Sequence, residues 1–230
     1  MKITVLIPVL NEADNIGRVI ADIPQHLNAR IVVVDNGSTD GTAQIAMQSG
    51  AIVLHQPRRG YGSACLKGLS YLIELPLAEQ PDVVVFIDGD YSDYPEEMPL
   101  LLQPLQLGMA DLVIGSRNLG GSEANAMTVP QRFGNFLATR LLGLFYGAKF
   151  TDLGPFRAIR WQTLQALDMQ DQNFGWTVEM QLKAVKQGFN TSEVSVRYRK
   201  RASGQSKISG TVKGTFMAGY VILKTLFKFR

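Results

Sequence analysis

Short, strongly apolar segments alternate with amphipathic ones through the first half of the chain, and this alternation constrains the fold most. Ile31–Val34 is a run of four β-branched residues, and Val83–Ile87 is a run of five apolar ones. Segments of this kind form strands that are buried on both faces of a parallel sheet. Apolar residues at helical spacing lie between them. The pattern predicts an α/β fold, a Rossmann-like and mostly parallel sheet with flanking helices.

The same periodicity gives approximate element bounds. The predicted strands are Ile3–Val9, Ile31–Val34, Ala51–His55, Val83–Ile87, Leu112–Ile114 and Glu193–Tyr198. The first predicted helix begins near Asn11, and the later ones are Thr42–Ser49, Gly62–Leu75, Pro95–Leu107, Phe133–Tyr146, Trp176–Lys186 and Val212–Phe229. The length of 230 residues suits a single domain spanning 1–230.

Charge is distributed unevenly along the chain. Residues 194–230 hold nine basic and no acidic side chains, whereas residues 1–193 hold 14 basic and 20 acidic ones. A basic segment of this kind favours an anionic partner such as a phosphate or a lipid head group. Few aromatic residues are interleaved with these charges, which disfavours nucleic acid. The single cysteine, Cys65, excludes an intrachain disulfide and a cysteine-based zinc site.

Acidic residues follow the predicted strands at the points where they end. Asp88 and Asp90 come directly after Val83–Ile87, separated by Gly89. The carboxyl ends of parallel strands meet at one edge of a sheet, where ligands bind in open α/β folds. Two carboxylates at this spacing can hold one hard cation, Mg²⁺ or Mn²⁺, together with phosphate oxygens, while Gly89 allows close backbone approach. We therefore predict a divalent metal bound by Asp88 and Asp90.

Two further segments carry polar groups toward the same edge. Asn11 and Glu12 follow the first strand, and Asp35 follows the second. Asp40 is predicted to cap the helix that starts near Thr42. Near the other end of the chain, residues 199–211 form a basic loop that contains glycine, and such a loop can close on phosphate.

Taken together, these motifs resemble those of the family 2 glycosyltransferases. The matching segments are Ile7-Pro8-Val9-Leu10-Asn11-Glu12, the loop from Asp35 to Thr42, and Asp88-Gly89-Asp90. The remainder is similar to the polyprenyl- and dolichyl-phosphate sugar transferases of that family, in Gly115-Ser116-Arg117, Asp152 to Arg157 and Arg201 to Lys207. Asn36 is a departure, because the family often has a second aspartate there.

The resemblance implies a GT-A-type fold and a role for each matching residue. Asp88 and Asp90 would hold the metal and the sugar nucleotide, and Arg117 would contact the sugar-phosphate region. The other implied donor-binding residues are Pro8, Leu10, Glu12, Val33, Asp35, Gly89, Arg201 and Lys207. Residues 1–117 would form the nucleotide-sugar-binding half, 118–211 the acceptor half and 212–230 a C-terminal amphipathic helix.

The implied activity is inverting transfer of a hexose from a nucleotide sugar, GDP-mannose or UDP-glucose, to a polyprenyl phosphate. An alternative is transfer to a soluble hydroxyl with Glu179 as the general base, because an alcohol must lose a proton whereas a phosphate is already ionised. Glu179 would otherwise do structural work, for example by orienting Arg157. A non-catalytic nucleotide-sugar-binding protein is the other alternative.

The last predicted helix favours a membrane surface. Lys224, Lys228 and Arg230 alternate with apolar residues, a pattern typical of a helix in a membrane interface, and a solvated helix packed on the domain is the alternative. No segment reaches the roughly 20 apolar residues of a membrane span. The amino terminus also lacks the features of a signal peptide. We expect a peripheral protein on the cytoplasmic face of a membrane; its oligomeric state is left open.

Overall fold

A central sheet with helices on both faces organises the chain in the computed structural model, which describes residues 1–120, 122–123, 126–201 and 224. Within these residues the strands are β1 (Ile3–Val9), β2 (Arg30–Asp35), β3 (Ile52–His55), β4 (Val83–Phe86), β5 (Leu112–Ser116), β6 (Arg157–Arg160) and β7 (Thr191–Ser195). The helices are α1 (Ala13–Ala21), α2 (Thr42–Gln48), α3 (Tyr61–Glu74), α4 (Met98–Gln106), α5 (Val129–Tyr146), α6 (Trp161–Ala166) and α7 (Trp176–Lys186). The predicted mostly parallel α/β fold is confirmed.

The strand order is β3-β2-β1-β4-β6-β5-β7. All neighbouring pairs are parallel except those of β6, which runs antiparallel to both β4 and β5. The carboxyl ends of the other strands therefore share one edge of the sheet. β6 and β7 come from the predicted acceptor half, so both predicted halves contribute strands to one sheet.

Two apolar layers hold the helices against the sheet. One contains Leu6, Val34 and Phe86 beneath α3, α5 and α7, and the other contains Ile7 and Val33 beneath α1 and α4. Alternate residues of the buried strands feed the two layers, because successive strand side chains point to opposite faces. This two-sided burial explains the continuous apolar runs in the sequence.

The predicted bounds were wrong in two regions. The strand Arg157–Arg160, with the helix Trp161–Ala166 after it, was not predicted, because two arginines in four residues do not look like a buried strand. The last strand is Thr191–Ser195 rather than Glu193–Tyr198, and Tyr198 instead makes isolated bridges to Asp93 and Ser122. The helix predicted at Val212–Phe229 lies outside the described residues except for Lys224.

Candidate active site

The loops after β1, β2 and β4 bring four carboxylates to the same edge of the sheet, as the strand-end pattern predicted. Glu12 follows β1, Asp35 ends β2, and Asp88 and Asp90 follow β4. We refer to these four residues as the acidic edge. Glu12 and Asp35 are almost fully buried, and Asp88 and Asp90 are partly exposed.

Reciprocal hydrogen bonds join the loop after β1 to the loop after β2. The Asn11 backbone N–H donates to Ser38 Oγ at 2.9 Å, and Asn11 Oδ1 accepts from the Thr39 N–H at 2.8 Å. Asp40 accepts from the backbone N–H of Thr42 at 3.0 Å and of Ala13 at 3.3 Å. Gly41, and not the predicted Asp40, occupies the N-cap position of α2, but the Asp40 carboxylate binds the first N–H of that helix and also reaches the start of α1.

Asp35 and its neighbour Asn36 have different tasks. Asp35 Oδ1 accepts from the Ser38 N–H at 3.0 Å, and Asp35 Oδ2 lies 3.4 Å from His55 Nδ1. The Asn36 amide donates to the carbonyls of Gln56 and Arg58 and accepts from the Gly60 N–H at 2.8 Å. A carboxylate cannot donate, so an aspartate here would lose both carbonyl contacts. Asn36 is therefore explained as the anchor of the loop before α3.

Asp88 has the electrostatics expected of a ligand-binding carboxylate. Burial and, to a smaller extent, the neighbouring Asp90 carboxylate raise its pKa to about 7, and a hydrogen bond from the Tyr61 hydroxyl opposes the rise. Asp88 Oδ1 is shielded from solvent and has no hydrogen-bond partner among the described residues. Asp90 Oδ1 accepts from the Ser92 N–H at 3.0 Å. The pair combines a free buried acceptor with a carboxylate that is held in place.

This pair fits a hard divalent cation. Within the described part of the chain, no group of three or more His, Cys, Asp or Glu side chains forms a complete metal site. Two carboxylates with remaining coordination positions suit Mg²⁺ or Mn²⁺, which commonly share their ligands between protein and phosphate. At Gly89 an added Cβ would lie only 2.5 Å from Val9 Cγ1, so a side chain there would push the two carboxylates away from β1.

Arg201 reaches the acidic edge from the basic segment. Its guanidinium pairs with Glu12, and Nε lies 3.4 Å from Asp90 Oδ2. Glu12 is further held by the Asn15 side chain at 3.0 Å. The structure therefore joins predicted site residues that are 189 positions apart in the sequence. Lys207, the other predicted residue of this segment, lies outside the described residues.

Arg117 is fixed by a buried carboxylate. It makes a bidentate ion pair with Asp152, with contacts of 2.8 and 2.7 Å, and its backbone N–H donates to the same carboxylate. Burial acts to lower the Arg117 pKa, but Asp152 more than offsets this, so the pKa is raised overall. Glu193 in turn accepts from the backbone N–H groups of Thr151 and Asp152.

Three predicted site residues are placed away from an open site. Val33, implied by the resemblance to flank the donor site, is fully buried in the apolar layer with Ile7. Pro8 is buried one residue before the end of β1, whereas Leu10 is half-buried just beyond it. Glu179 is fully buried, accepts from the backbone N–H groups of Gln170 and Asp171, and pairs with Lys183 at 2.7 Å.

A groove of about 1020 Å³ lies between α5 and the segment after β5. Its lining combines apolar side chains with basic ones, namely Met127, Phe136, Leu141, Leu144, Ala148 and Phe150 together with Arg117, Arg132 and Arg140. Phe133, Phe136, Arg140 and Leu144 are exposed at helical spacing on one side of α5. Exposed large apolar residues in a row are uncommon on a soluble surface and mark interaction sites. We refer to the groove, together with the exposed side chains of α5 that border it, as the α5 groove.

Comparison with known proteins identifies the family. The sequence model of Glycosyl transferase family 2 matches residues 4–168. The chain belongs to this family. It is 33% identical over 230 residues to a dolichyl-phosphate hexose transferase of Haloferax volcanii, with 98% of this chain and 92% of the relative covered. It is 32% identical over 225 residues to a polyprenol monophosphomannose synthase of Mycolicibacterium smegmatis, with 90% and 81% covered.

A solved structure supports the fold assignment. Glucosyl-3-phosphoglycerate synthase from Mycobacterium tuberculosis, in complex with Mn²⁺, uridine diphosphate and phosphoglyceric acid, aligns with a TM-score of 0.77. The sequence identity is 23%, and the alignment covers 99% of this chain and 78% of that one. This chain therefore has the GT-A-type architecture of a family 2 glycosyltransferase.

Several residues of this glycosyltransferase site were not singled out from the sequence. Tyr61 hydrogen-bonds to Asp88, Asp152 holds Arg117, and Asp93 lies nearby with both carboxylate oxygens buried. Asp152 begins one of the segments that resembles the family, and Asp93 comes three residues after Asp90. Both Asp152 and Asp93 could have been predicted as site residues, because each is acidic and lies in or next to a motif. Tyr61 carried no such signal, because it begins a helix far from any motif.

Proposed function

We propose that this family 2 glycosyltransferase moves a hexose from a nucleotide sugar, GDP-mannose or UDP-glucose, to a polyprenyl phosphate. The transfer inverts the anomeric carbon and takes place at the cytoplasmic surface of a membrane. The names of two relatives support a lipid-phosphate acceptor. Within the described residues no helix is long and apolar enough to cross a membrane.

The position of Arg117 carries the proposal. Arg117 lines the α5 groove, and its charge also acts on the pKa of Asp88 at the acidic edge. The guanidinium thus connects the groove electrostatically to the acidic edge. Nε and Nη2 bind Asp152, and the remaining N–H groups of the guanidinium would donate to a phosphate. Because Asp152 fixes the side chain, a phosphate that enters along the groove would be drawn toward the acidic edge without reorganisation of Arg117.

The acidic edge suits the nucleotide-sugar donor. Asp35, Glu12 and the half-buried Leu10 offer acceptors and an apolar surface for the nucleoside, and Arg201 stands beside Asp90 to meet the diphosphate. A bound Mg²⁺ or Mn²⁺ at Asp88 and Asp90 would neutralise the negative charge of the departing diphosphate. The solved relative that holds Mn²⁺ with uridine diphosphate supports this assignment.

In this reaction the protein has two tasks: it aligns the acceptor phosphate with the anomeric carbon, and it stabilises the negative charge of the departing diphosphate. An oxygen of the acceptor phosphate attacks the anomeric carbon, and the bond from that carbon to the diphosphate oxygen breaks, so the nucleoside diphosphate leaves with the electron pair. The phosphate is already ionised near neutral pH, and no side chain has to remove a proton. Glu179, buried and bonded to two backbone N–H groups, is in keeping with a reaction that uses no general base.

The α5 groove suits the lipid part of the acceptor. Phe136 and Leu144 are 57% and 77% exposed, although burial of such a side chain yields roughly 1.5–3 kcal/mol. An isoprenoid chain along this face of α5 would cover both residues. Arg132 and Arg140, exposed beside them, would face lipid phosphates.

The test is a matched acceptor series with labelled donors. Purified protein and Mg²⁺ or Mn²⁺ are incubated with radiolabelled GDP-mannose or UDP-glucose and one of three acceptors: a polyprenyl phosphate, the polyprenol of equal length, or phosphoglyceric acid. We expect label in the organic phase with the polyprenyl phosphate alone. The polyprenol isolates the phosphate, and the soluble acid isolates the lipid.

Other outcomes contradict the proposal in distinguishable ways. Transfer to phosphoglyceric acid, without label in the organic phase, would assign a soluble acceptor. Transfer to the polyprenol would require a general base and would direct attention back to Glu179. Donor binding without transfer to any of the three acceptors would favour a binding protein.

A further inference from the structure

A column of stacked arginine and tyrosine side chains forms around Tyr91 and Tyr94, in the segment that follows Asp90. Arg18 Cζ is 4.0 Å and Arg199 Cζ 3.6 Å from the centre of the Tyr91 ring. Two guanidinium groups this close to one ring must occupy its opposite faces. Arg199 also lies 4.1 Å from the centre of the Tyr94 ring, so it is stacked between two tyrosines. Arg197 completes the column at 4.1 Å from Tyr94.

Arg199 also binds the backbone that follows Asp90. Its Nε donates to the Tyr91 carbonyl at 2.7 Å, and Nη2 donates to the Asp93 carbonyl at 3.1 Å. The Arg199 backbone N–H donates to the Ser92 carbonyl at 3.0 Å. One residue thus holds three consecutive carbonyls in the turn after the predicted metal ligands.

The backbone of this turn is strained at Tyr91. Tyr91 has φ of +61°, in the left-handed region that a bulky residue seldom adopts and that costs on the order of 1–3 kcal/mol. The strained conformation directs the Ser92 N–H to Asp90 Oδ1 at 3.0 Å. The orientation of the Asp90 carboxylate therefore depends on a turn that Arg199 keeps in place.

We infer that Arg199 is a positioning residue: by holding the turn after Asp90, it sets the affinity of the Asp88 and Asp90 pair for a metal ion. Arg199 also connects this turn to the basic segment that carries Arg201. Two residues beyond Arg199, Arg201 pairs with Glu12 and approaches Asp90. The segment 199–201 therefore binds the turn through its first residue and the acidic edge through its last. The inference rests on the proposed function, because it assumes that Asp88 and Asp90 bind a divalent cation.

Lysine cannot reproduce this arrangement. A guanidinium is planar, stacks between two rings and donates along two directions at once, whereas an ammonium is a strongly hydrated point charge. Arg199→Lys keeps the charge and nearly the same length, and it removes the stacking and the paired donors. Arg197→Lys is the matched control, since Arg197 lies at the outer end of the column and pairs with Glu96 and Glu97 at the surface.

The test measures Mn²⁺ binding directly. Free Mn²⁺ is titrated by electron paramagnetic resonance with the wild type and each variant, alone and with uridine or guanosine diphosphate. For Arg199→Lys we expect the Mn²⁺ dissociation constant to rise by about 10- to 100-fold, the usual effect of losing a group that orients a metal ligand. For Arg197→Lys we expect a change of no more than about twofold, because exposed ion pairs contribute little.

A second variant keeps the test decisive if Arg199→Lys does not fold. Tyr94→Leu removes one face of the stack and leaves the Arg199 hydrogen bonds, so we expect a smaller loss of Mn²⁺ affinity than for Arg199→Lys. Circular dichroism and thermal melting check that each variant is folded. Wild-type affinity in folded Arg199→Lys, or in Tyr94→Leu if Arg199→Lys does not fold, would overturn the inference and leave the proposed function intact. Wild-type protein that binds no Mn²⁺ would instead contradict the metal site itself.

Discussion

Arg117 lines the α5 groove and its charge acts on the acidic edge, yet these two regions are built in opposite ways. At the acidic edge, Asp35, Glu12 and Asp90 each accept a hydrogen bond from a residue two or three positions further along the chain. Along the groove, Phe136 and Leu144 are exposed. Fixed polar groups suit a charged ligand of defined shape, because they need no reorganisation when it binds. An exposed apolar row suits a chain without defined polar contacts, as proposed for the lipid.

Removing one carboxylate should disrupt the acidic edge and leave the groove unchanged. We expect Asp90→Ala to lower the rate of sugar transfer by roughly 10²- to 10³-fold, since a group that supports charge at the leaving diphosphate is lost. Mn²⁺ binding should weaken in parallel, while binding of polyprenyl phosphate vesicles should stay as in the wild type. Radiolabel transfer and vesicle sedimentation measure the two properties.

Asp82→Ala is the control for Asp90→Ala. Asp82 is an exposed aspartate just before β4, at the opposite end of the strand that leads to Asp88 and Asp90. We expect its replacement to leave transfer unchanged. Unchanged transfer and metal dependence in Asp90→Ala would remove the basis for assigning the donor to this edge.

The reverse change should affect the groove alone. We expect the double variant Phe136→Ser and Leu144→Ser to raise the KM for polyprenyl phosphate by about tenfold or more, because each side chain would lose apolar contact of roughly 1–2 kcal/mol with the lipid. The KM for the nucleotide sugar should not change. Steady-state kinetics at varied lipid and fixed donor concentration tests this prediction.

Leu77→Ser provides a matched control for the groove variant. Leu77 is 87% exposed and lies after α3, outside the groove lining. Its replacement removes a similar amount of exposed apolar surface and should not change the KM for the lipid. If the groove variant and Leu77→Ser behave alike, the exposed row on α5 does not bind the acceptor.

Glu179→Gln sharpens the comparison by testing whether the acceptor is a phosphate. Glutamine retains one acceptor oxygen for the backbone N–H groups of Gln170 and Asp171 but loses the ion pair with Lys183. We expect the free energy of unfolding to fall by about 1–3 kcal/mol. Turnover, measured well below the melting temperature, should fall by less than about tenfold, whereas loss of a general base costs roughly 10²- to 10⁴-fold. A loss in that higher range would favour a hydroxyl acceptor.

The acidic edge and the contacts around β6 differ in how far the sequence predicts them. Helix α7 was predicted at Trp176–Lys186 and is observed there. The motifs led directly to Asp88 and Asp90, since residues at the carboxyl ends of parallel strands converge by topology alone. Local patterns of this type can be read without knowing the tertiary structure.

Contacts that depend on β6 could not be predicted in this way. Arg157 begins β6, is fully buried, and donates to the carbonyls of Leu153, Gly154 and Thr177. In sequence it looks like an exposed charge. The insertion of β6 between β4 and β5 helps to place the segment that carries Asp152 beside Arg117, so this ion pair follows from tertiary structure and not from spacing.

Asp93, close to the acidic edge, offers the smallest expected effect and concerns how much a buried carboxylate destabilises the fold. Its side chain is 2% exposed, and both carboxylate oxygens lack a hydrogen-bond partner among the described residues. Burial raises the pKa of Asp93 well above its usual range, and the nearby Asp88 carboxylate adds to the rise. A carboxyl group with a raised pKa in the folded state favours folding while it is protonated, and this contribution is lost as the pH rises through the folded pKa.

We therefore expect Asp93→Asn to raise the free energy of unfolding of the metal-free protein at pH 8 by about 1–2 kcal/mol, since an amide avoids the buried charge. The difference should shrink as the pH falls toward 4, where Asp93 is increasingly protonated in both folded and unfolded states. Urea unfolding in EDTA across this pH range measures both quantities. A destabilised variant at pH 8 would mean that the Asp93 carboxylate is compensated in the folded protein. A stabilised variant would mean that the Asp93 charge next to the acidic edge destabilises the folded protein, as charges in binding sites often do. The exposed apolar side chains of the α5 groove are likewise unfavourable for the fold by itself and suited to binding.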